Sequence, residues 1–137
     1  MVIPRFVERA LAGAPLEVHG DGSQTRSFCH VHDTIRALKS LMEAEGLSGE
    51  ILNVGATERI RILDLAARII ELTGSRSEIV FLPYNEVYGL GIEDTLHREP
   101  SIEKIGQAIG WRPTRNLDRI LTDVIDHVRT ASEVPAS

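Results

Sequence analysis

Apolar side chains near the start of the chain fall at Ile3, Phe6, Val7, Ala10 and Leu11, the three-and-four spacing of one helical face, and Gly13 with Pro15 closes the run. This predicts a helix over Ile3–Leu11. Polar and apolar positions then alternate through Leu16-Glu17-Val18-His19, Gly20-Asp21-Gly22-Ser23 has turn chemistry, and Ser27 to Val31 reads as a second strand. Two strands joined by a polar loop are expected. Asp33 stands where an N-cap belongs, ahead of a helix carrying Ile35, Leu38, Leu41 and Met42 and closed by Gly46.

The short apolar run Ile51-Leu52-Asn53-Val54-Gly55 predicts a strand, and a helix follows over Ile62–Thr73, with Leu65, Ala66, Ile69 and Ile70 inward and Gly74 as its stop. Ile79–Leu82 reads as another buried strand, ended by Pro83. Residues 84–99 show no sustained period, and so long a loop in a compact domain makes a candidate lid. Helices over Ile102–Ile109 and Leu117–Val128, separated by Trp111-Arg112-Pro113, complete the pattern, and the tail from Ala131 is expected to fray. Strands alternating with helices argue for an α/β or α+β arrangement, with one domain over residues 1–130 and a tail over 131–137.

Composition adds few constraints. A chain of 137 residues with 42% hydrophobic and 26% charged positions has the length and balance of one folded domain. No apolar run approaches the ~20 residues that cross a bilayer, and Met1 is followed by Pro4, Arg5, Glu8 and Arg9 instead of a secretory apolar stretch, so a cytoplasmic location is expected. The single cysteine, Cys29, rules out an internal disulfide and reads as a buried structural thiol. The net charge is −5, and the basic residues, all but Lys39 and Lys104 arginines, are scattered along the chain. Nucleic-acid binding needs a concentrated positive field and is disfavoured, whereas arginine suits bidentate contacts to phosphate.

Four constellations bear on chemistry. Gly20-x-Gly22-x-x-Thr25 begins like a dinucleotide-binding loop, but it lacks the third glycine and runs into a strand rather than opening a helix; Gly89-x-Gly91-x-x-Asp94 fails in the same way. His30-x-His32-Asp33 could offer two imidazoles and a carboxylate to a metal, yet no further ligand stands nearby, and the plainer reading packs His30, exposes His32 and uses Asp33 as a cap. Tyr84-x-x-x-Tyr88 has the spacing of a Tyr/Lys catalytic pair with a tyrosine in place of the lysine, so the cation that would lower the pKa of the base is missing. Arg26 follows the Gly/Ser loop and Arg98 precedes Pro100; two arginines at loop ends can converge on a phosphate, although as isolated residues both read as solvated surface charges.

Taken in order, Pro15-Leu16-x-Val18-x-Gly20-Asp21-Gly22-x-Gln24-x-Arg26-Ser27-Phe28, Val31-x-Asp33, Asn53-Val54-Gly55, Ile62-x-x-Leu65-Ala66 and Arg98-x-Pro100-x-x-x-Lys104-x-x-x-x-Ile109-Gly110-Trp111-x-Pro113 resemble the C-terminal part of extended short-chain dehydrogenases/reductases. The likeness is greatest to UDP-glucuronate decarboxylases and UDP-sugar epimerases, and it runs from Ile3 to about Val128. It implies the C-terminal portion of a Rossmann-type epimerase: a small mixed α/β substrate-binding lobe plus strand-helix elements of the Rossmann sheet, among them Ile51–Val54. In that family an N-terminal Rossmann domain supplies the NAD loop and the Tyr-x-x-x-Lys pair, neither of which this sequence carries, so no catalytic residue and no NAD-binding residue is expected here.

The resemblance further implies that Arg26 and Arg98 clamp the diphosphate of a UDP-sugar or related nucleotide sugar, while the Leu16-Val18-His19 strand lies against base and ribose. His19 stands where the family often has an aromatic residue, Ser101 where it usually has Asp, and Arg61 where it has a capping Ser or Thr. An apolar flank would be left uncovered, inviting self-association or pairing with a Rossmann half. The alternative is a non-catalytic interaction or regulatory module that reuses the scaffold and binds a protein through that flank.

Overall fold

The computed structural model describes residues 1–83 and 96–133. Its elements are α1 (Val2–Leu11), β1 (Leu16–His19), β2 (Thr25–Ser27), α2 (Val31–Glu43), β3 (Arg59–Arg61), α3 (Ile62–Thr73), β4 (Ile79–Leu82), β5 (His97–Arg98), α4 (Glu103–Ile109) and α5 (Leu117–Glu133). The protein is mixed α/β and divides into two compact units: Met1–Thr25 with Ile60–His97 and Leu121–Ser137, and Arg26–Arg59 with Arg98–Ile120. Strands β3, β2 and β5 form a three-stranded sheet in the order β3-β2-β5.

In the first unit β1 and β4 pair in parallel, Leu16 opposite Ile79 and His19 opposite Leu82. The helices α1 and α3 pack beside β1, and the core they share is Ile3, Phe6, Val7 and Ala10 from α1, Ile62, Leu65, Ala66 and Ile69 from α3, and Leu16 and Val18 from β1; of the helix positions expected inward, Leu11 and Ile70 are only half-buried, and Ile62 joins the core. Pro4 is accommodated because the first turn of a helix needs no amide from it. Gly74 ends α3 in the left-handed conformation, at φ 64°.

The loop between β1 and β2 closes the N-terminus of α3. The carbonyls of Gly22 and Gln24 accept from the amides of Leu63 (3.1 Å) and Ile62 (3.0 Å), and the buried Gln24 side chain donates to the His19 carbonyl at 3.0 Å. Gly22 has φ 74°, and a Cβ there would lie 2.8 Å from Val18 Cγ1 and 2.9 Å from the Leu63 Cβ. Arg61, at the N-cap of α3, makes no capping bond and pairs with Asp64 instead.

The second unit is built around Ala37, Ile102, Ile105 and Trp111, with Cys29, Leu41, Leu52, Val54 and Ile109 packed against them. Asp33 organises its polar side. Fully buried, its carboxylate accepts from the amides of Thr114 (3.0 Å) and Arg115 (2.9 Å), the Thr114 hydroxyl (2.7 Å) and the guanidinium of Arg36 (2.9 Å). Its carbonyl accepts from Trp111 Nε1 at 3.0 Å.

Several expectations change. Ile51–Val54 forms no strand: no strand neighbour stands beside it among the described residues, and Leu52 and Val54 pack on the Trp111 cluster instead. The two strands expected on either side of the polar loop are present, and they lie in different sheets: β1 takes β4 as its partner and β2 joins β3 and β5. β2 ends at Ser27, and α2 begins at Val31, so the segment predicted as a strand through Val31 is split. His30 rather than Asp33 caps α2, accepting from the His32 amide at 3.1 Å, because the Asp33 carboxylate is drawn inward to the 114–115 amides. Helix α5 continues to Glu133, past the predicted start of the tail.

Candidate functional site

Arg26 and Arg98 come together in the second unit. Arg26 is half-buried on β2, Arg98 is exposed at the end of β5, and both line one open pocket of about 470 Å³. A volume of this order suits a small-molecule ligand. The lining also includes Cys29, Asn53, Gly55, Glu99 and Pro100. Cys29 is half-buried, accepting from the Thr34 hydroxyl at 3.6 Å.

Two segments that contribute to this lining, residues 50–59 and 98–104, run side by side. Lys104 Nζ donates to the Ile51 carbonyl at 3.0 Å and pairs with Glu50 at 2.6 Å. Asn53 Nδ2 donates to the Ser101 carbonyl at 3.3 Å, and Arg59 pairs with Glu99 at 3.1 Å. Gly55 lies so close to Pro100 that a Cβ would stand 2.5 Å from its Cγ. The Lys104 ammonium holds the Glu50 carboxyl below its ordinary value, through the hydrogen bond first and the charge second.

The other predicted positions fall elsewhere. Leu16 and Val18 are fully buried in the first unit, so their side chains serve the core and leave only the main chain of β1 and the partly exposed His19 for contact with a ligand. The Gly20–Gln24 loop does not suit a pyrophosphate: its carbonyls consume the α3 amides that an anion would need, and Gly22 is required by Val18 and Leu63. Its Asp21 accepts from the Ser23 hydroxyl and amide, which hold the carboxyl below its ordinary value.

His30 and His32 stack with centroids 5.2 Å apart, and the described residues hold no group of three or more His, Cys, Asp or Glu able to bind a metal. Tyr84, Tyr88, Gly89, Gly91, Asp94 and most of the candidate lid lie outside the described residues. No helix among the described residues is long and apolar enough to cross a membrane. Sequence reasoning missed Asn53, Gly55, Glu99 and Pro100 as pocket residues; their only signal was membership of the two segments Asn53-Val54-Gly55 and Arg98-x-Pro100.

Residues 1–55 match the model of the NAD dependent epimerase/dehydratase family. The chain is 38% identical over 128 residues to a UDP-N-acetyl-alpha-D-glucosaminuronate decarboxylase of Bacillus cytotoxicus, covering 93% of this chain and 40% of that protein. The chain is a relative of the NAD-dependent epimerases/dehydratases. It is also 37% identical to UDP-glucuronic acid decarboxylase 1 of Danio rerio, over 92% of this chain and 28% of the relative.

Among solved structures, a UDP-glucuronic acid 4-epimerase of Bacillus cereus, in complex with UDP-glucuronic acid and NAD, superposes with a TM-score of 0.86 at 27% identity, over 96% of this chain and 40% of that one. An epimerase of Methanothermobacter thermautotrophicus gives a TM-score of 0.88 at 26% identity, over 97% and 38%. The fold is therefore part of a Rossmann-type epimerase fold, and the chain spans less than half the length of these relatives.

Proposed function

We propose that the chain is the nucleotide-diphosphate-sugar-binding part of an NAD-dependent epimerase, dehydratase or decarboxylase, with Arg26 and Arg98 holding the diphosphate. The observation that carries this reading is their meeting on one pocket, from segments far apart in the sequence. Two guanidinium groups offer planar, permanently charged donors matched to phosphate oxygens. The complex of the Bacillus cereus relative with UDP-glucuronic acid supports the ligand class. The sequence carries no Tyr-x-x-x-Lys, and its Gly-x-Gly loop is spent on capping α3, so by this reading the chain binds a nucleotide sugar and does not turn it over.

The test is titration with UDP by calorimetry at low and moderate salt. Removing one charged partner of a diphosphate costs about 1.5 to 3 kcal/mol, roughly ten- to a hundredfold in affinity. Arg26→Ala should abolish measurable binding and Arg98→Ala should weaken it, whereas Arg76→Ala, on an exposed loop of the first unit, should not. Equal affinity of wild type and both pocket variants would refute the assignment.

One observation favours the second reading, an interaction module. Val31, Ile35, Leu38 and Met42 form an exposed stripe along α2 at four-, three- and four-residue steps. A partner or a second copy could cover it. If wild type binds no UDP, this reading replaces the first.

A further inference from the structure

We propose that residues 50–59 act as a positioning strap for Arg98, with Gly55 as the residue that sets its placement. The inference rests on the reading of Arg26 and Arg98 as the phosphate-holding pair, and it names what keeps the second of them in place. Arg98 is exposed at the end of a two-residue strand, a position with little of its own to hold a side chain against a ligand. The segment that follows it is fastened at successive points to residues 50–59, which run the opposite way. Glu99 meets Arg59, Pro100 meets Gly55, the Ser101 carbonyl meets Asn53, and Lys104 meets Glu50 and the Ile51 carbonyl.

The order of these contacts identifies the constraint. Arg59 and Glu99, like Lys104 and Glu50, are ion pairs with side chains partly in water, which align the segments but yield easily. The contact at Gly55 is of another kind. It is steric, buried and two residues from Arg98, and it tolerates no Cβ while Pro100 keeps its ring where it is. The pyrrolidine ring is closed onto its own backbone, so beyond a change of pucker at Cγ it can retreat only by moving the main chain. Any side chain at position 55 therefore moves Pro100, and the backbone leading to Arg98 with it. The apolar anchors on the same strap, Leu52 and Val54, are packed on the Trp111 cluster, so the strap itself cannot easily give way. Arg98 is thus referenced to the core of the second unit through Gly55, and a bound diphosphate would meet a guanidinium already in place.

The experiment uses the full chain with UDP as probe, read by calorimetry, alongside thermal melting. Gly55→Ala should weaken UDP about tenfold and lower the melting midpoint. The double variant Gly55→Ala/Pro100→Ala should recover most of both, because without the ring Cγ the nearest remaining Pro100 atom, Cβ, lies 3.4 Å from the new methyl. Lys104→Met, which removes one of the ion pairs that yield easily, should weaken UDP far less than Gly55→Ala and leave the midpoint nearly unchanged. Recovery of melting without recovery of UDP affinity would show that Gly55 serves packing only and would overturn the proposal, as would wild-type UDP affinity in Gly55→Ala or a loss in Lys104→Met as large as that in Gly55→Ala. Unaltered UDP binding in Arg98→Ala would instead overturn the underlying site assignment, so the two failures are distinguishable.

Discussion

Replacing Asp33 by Asn tests whether the second unit is held by a charge rather than by shape, since the two side chains are nearly isosteric. The amides of Thr114 and Arg115 both point at Oδ2 and cannot reverse, so the amide oxygen of the variant must stay there. Its NH2 group then faces the donors on Oδ1. The Thr114 hydroxyl can turn and accept, but the guanidinium groups of Arg36 (2.9 Å) and Arg115 (3.4 Å) cannot. A hydrogen bond to a charged group contributes about 1.5–3 kcal/mol. Both arginine side chains are more than a third exposed, so water recovers part of the loss, and the Arg115 bond is long. The net cost should be about 2 kcal/mol, or roughly 6 to 10 °C in the midpoint.

The same variant carries a pH signature. Burial alone would raise the Asp33 carboxyl, but the bonds from Arg36, from the Thr114 hydroxyl and from the Arg115 and Thr114 amides outweigh it and hold it well below the ordinary carboxylate range. A group whose folded value is depressed contributes fully above its unfolded value of 3.8, and its contribution is lost as the pH falls toward the folded value. The advantage of wild type over Asp33→Asn should be constant from about pH 8 to about 5, then shrink by about 1.4 kcal/mol per pH unit below about pH 4. Urea unfolding followed by the fluorescence of Trp111 reads this directly, because the single tryptophan donates to the Asp33 carbonyl. An advantage as large near pH 3 as at pH 7 would refute the charge argument, and a variant as stable as wild type at pH 7 would refute the network's role altogether.

Gly22→Ala should destabilise the first unit by about 2 kcal/mol or more in urea unfolding, since the methyl meets Val18 and Leu63 below 3 Å at a φ that side chains rarely adopt; a loss under 0.5 kcal/mol would show that the loop relaxes. The exposed α2 stripe should drive self-association visible in sedimentation, together with binding of an apolar dye, and Leu38→Glu/Met42→Glu should reduce both; a monomeric wild type without dye binding would contradict this. The purified chain should retain no NAD and should not convert UDP-sugars, and stoichiometric NAD found by absorbance and mass spectrometry would sink that expectation.

The local pattern determined those elements whose stability comes from their own residues. Helices α1, α3 and α4 start and stop within a residue or two of where apolar spacing, Gly74 and Gly110 place them, because a helix closes its hydrogen bonds within itself and ends where a left-handed residue is cheap. Partnership was not legible. A strand's hydrogen bonds go to a neighbour that sequence does not name, so β1 found β4 across the intervening β2, α2, β3 and α3, the two-residue β5 gave no pattern at all, and Ile51–Val54, apolar but without a ladder, became a packed coil.

For the site, the ordered motifs were enough to single out Arg26 and Arg98. Only tertiary structure placed them on one pocket, set the carbonyls of Gly22 and Gln24 against the first amides of α3, and drew Asp33 from a capping position into the interior. The physical reason is the same in each case: where a polar or glycine residue ends up depends on which donors and acceptors the rest of the chain leaves unsatisfied, and that balance is struck between segments far apart in sequence.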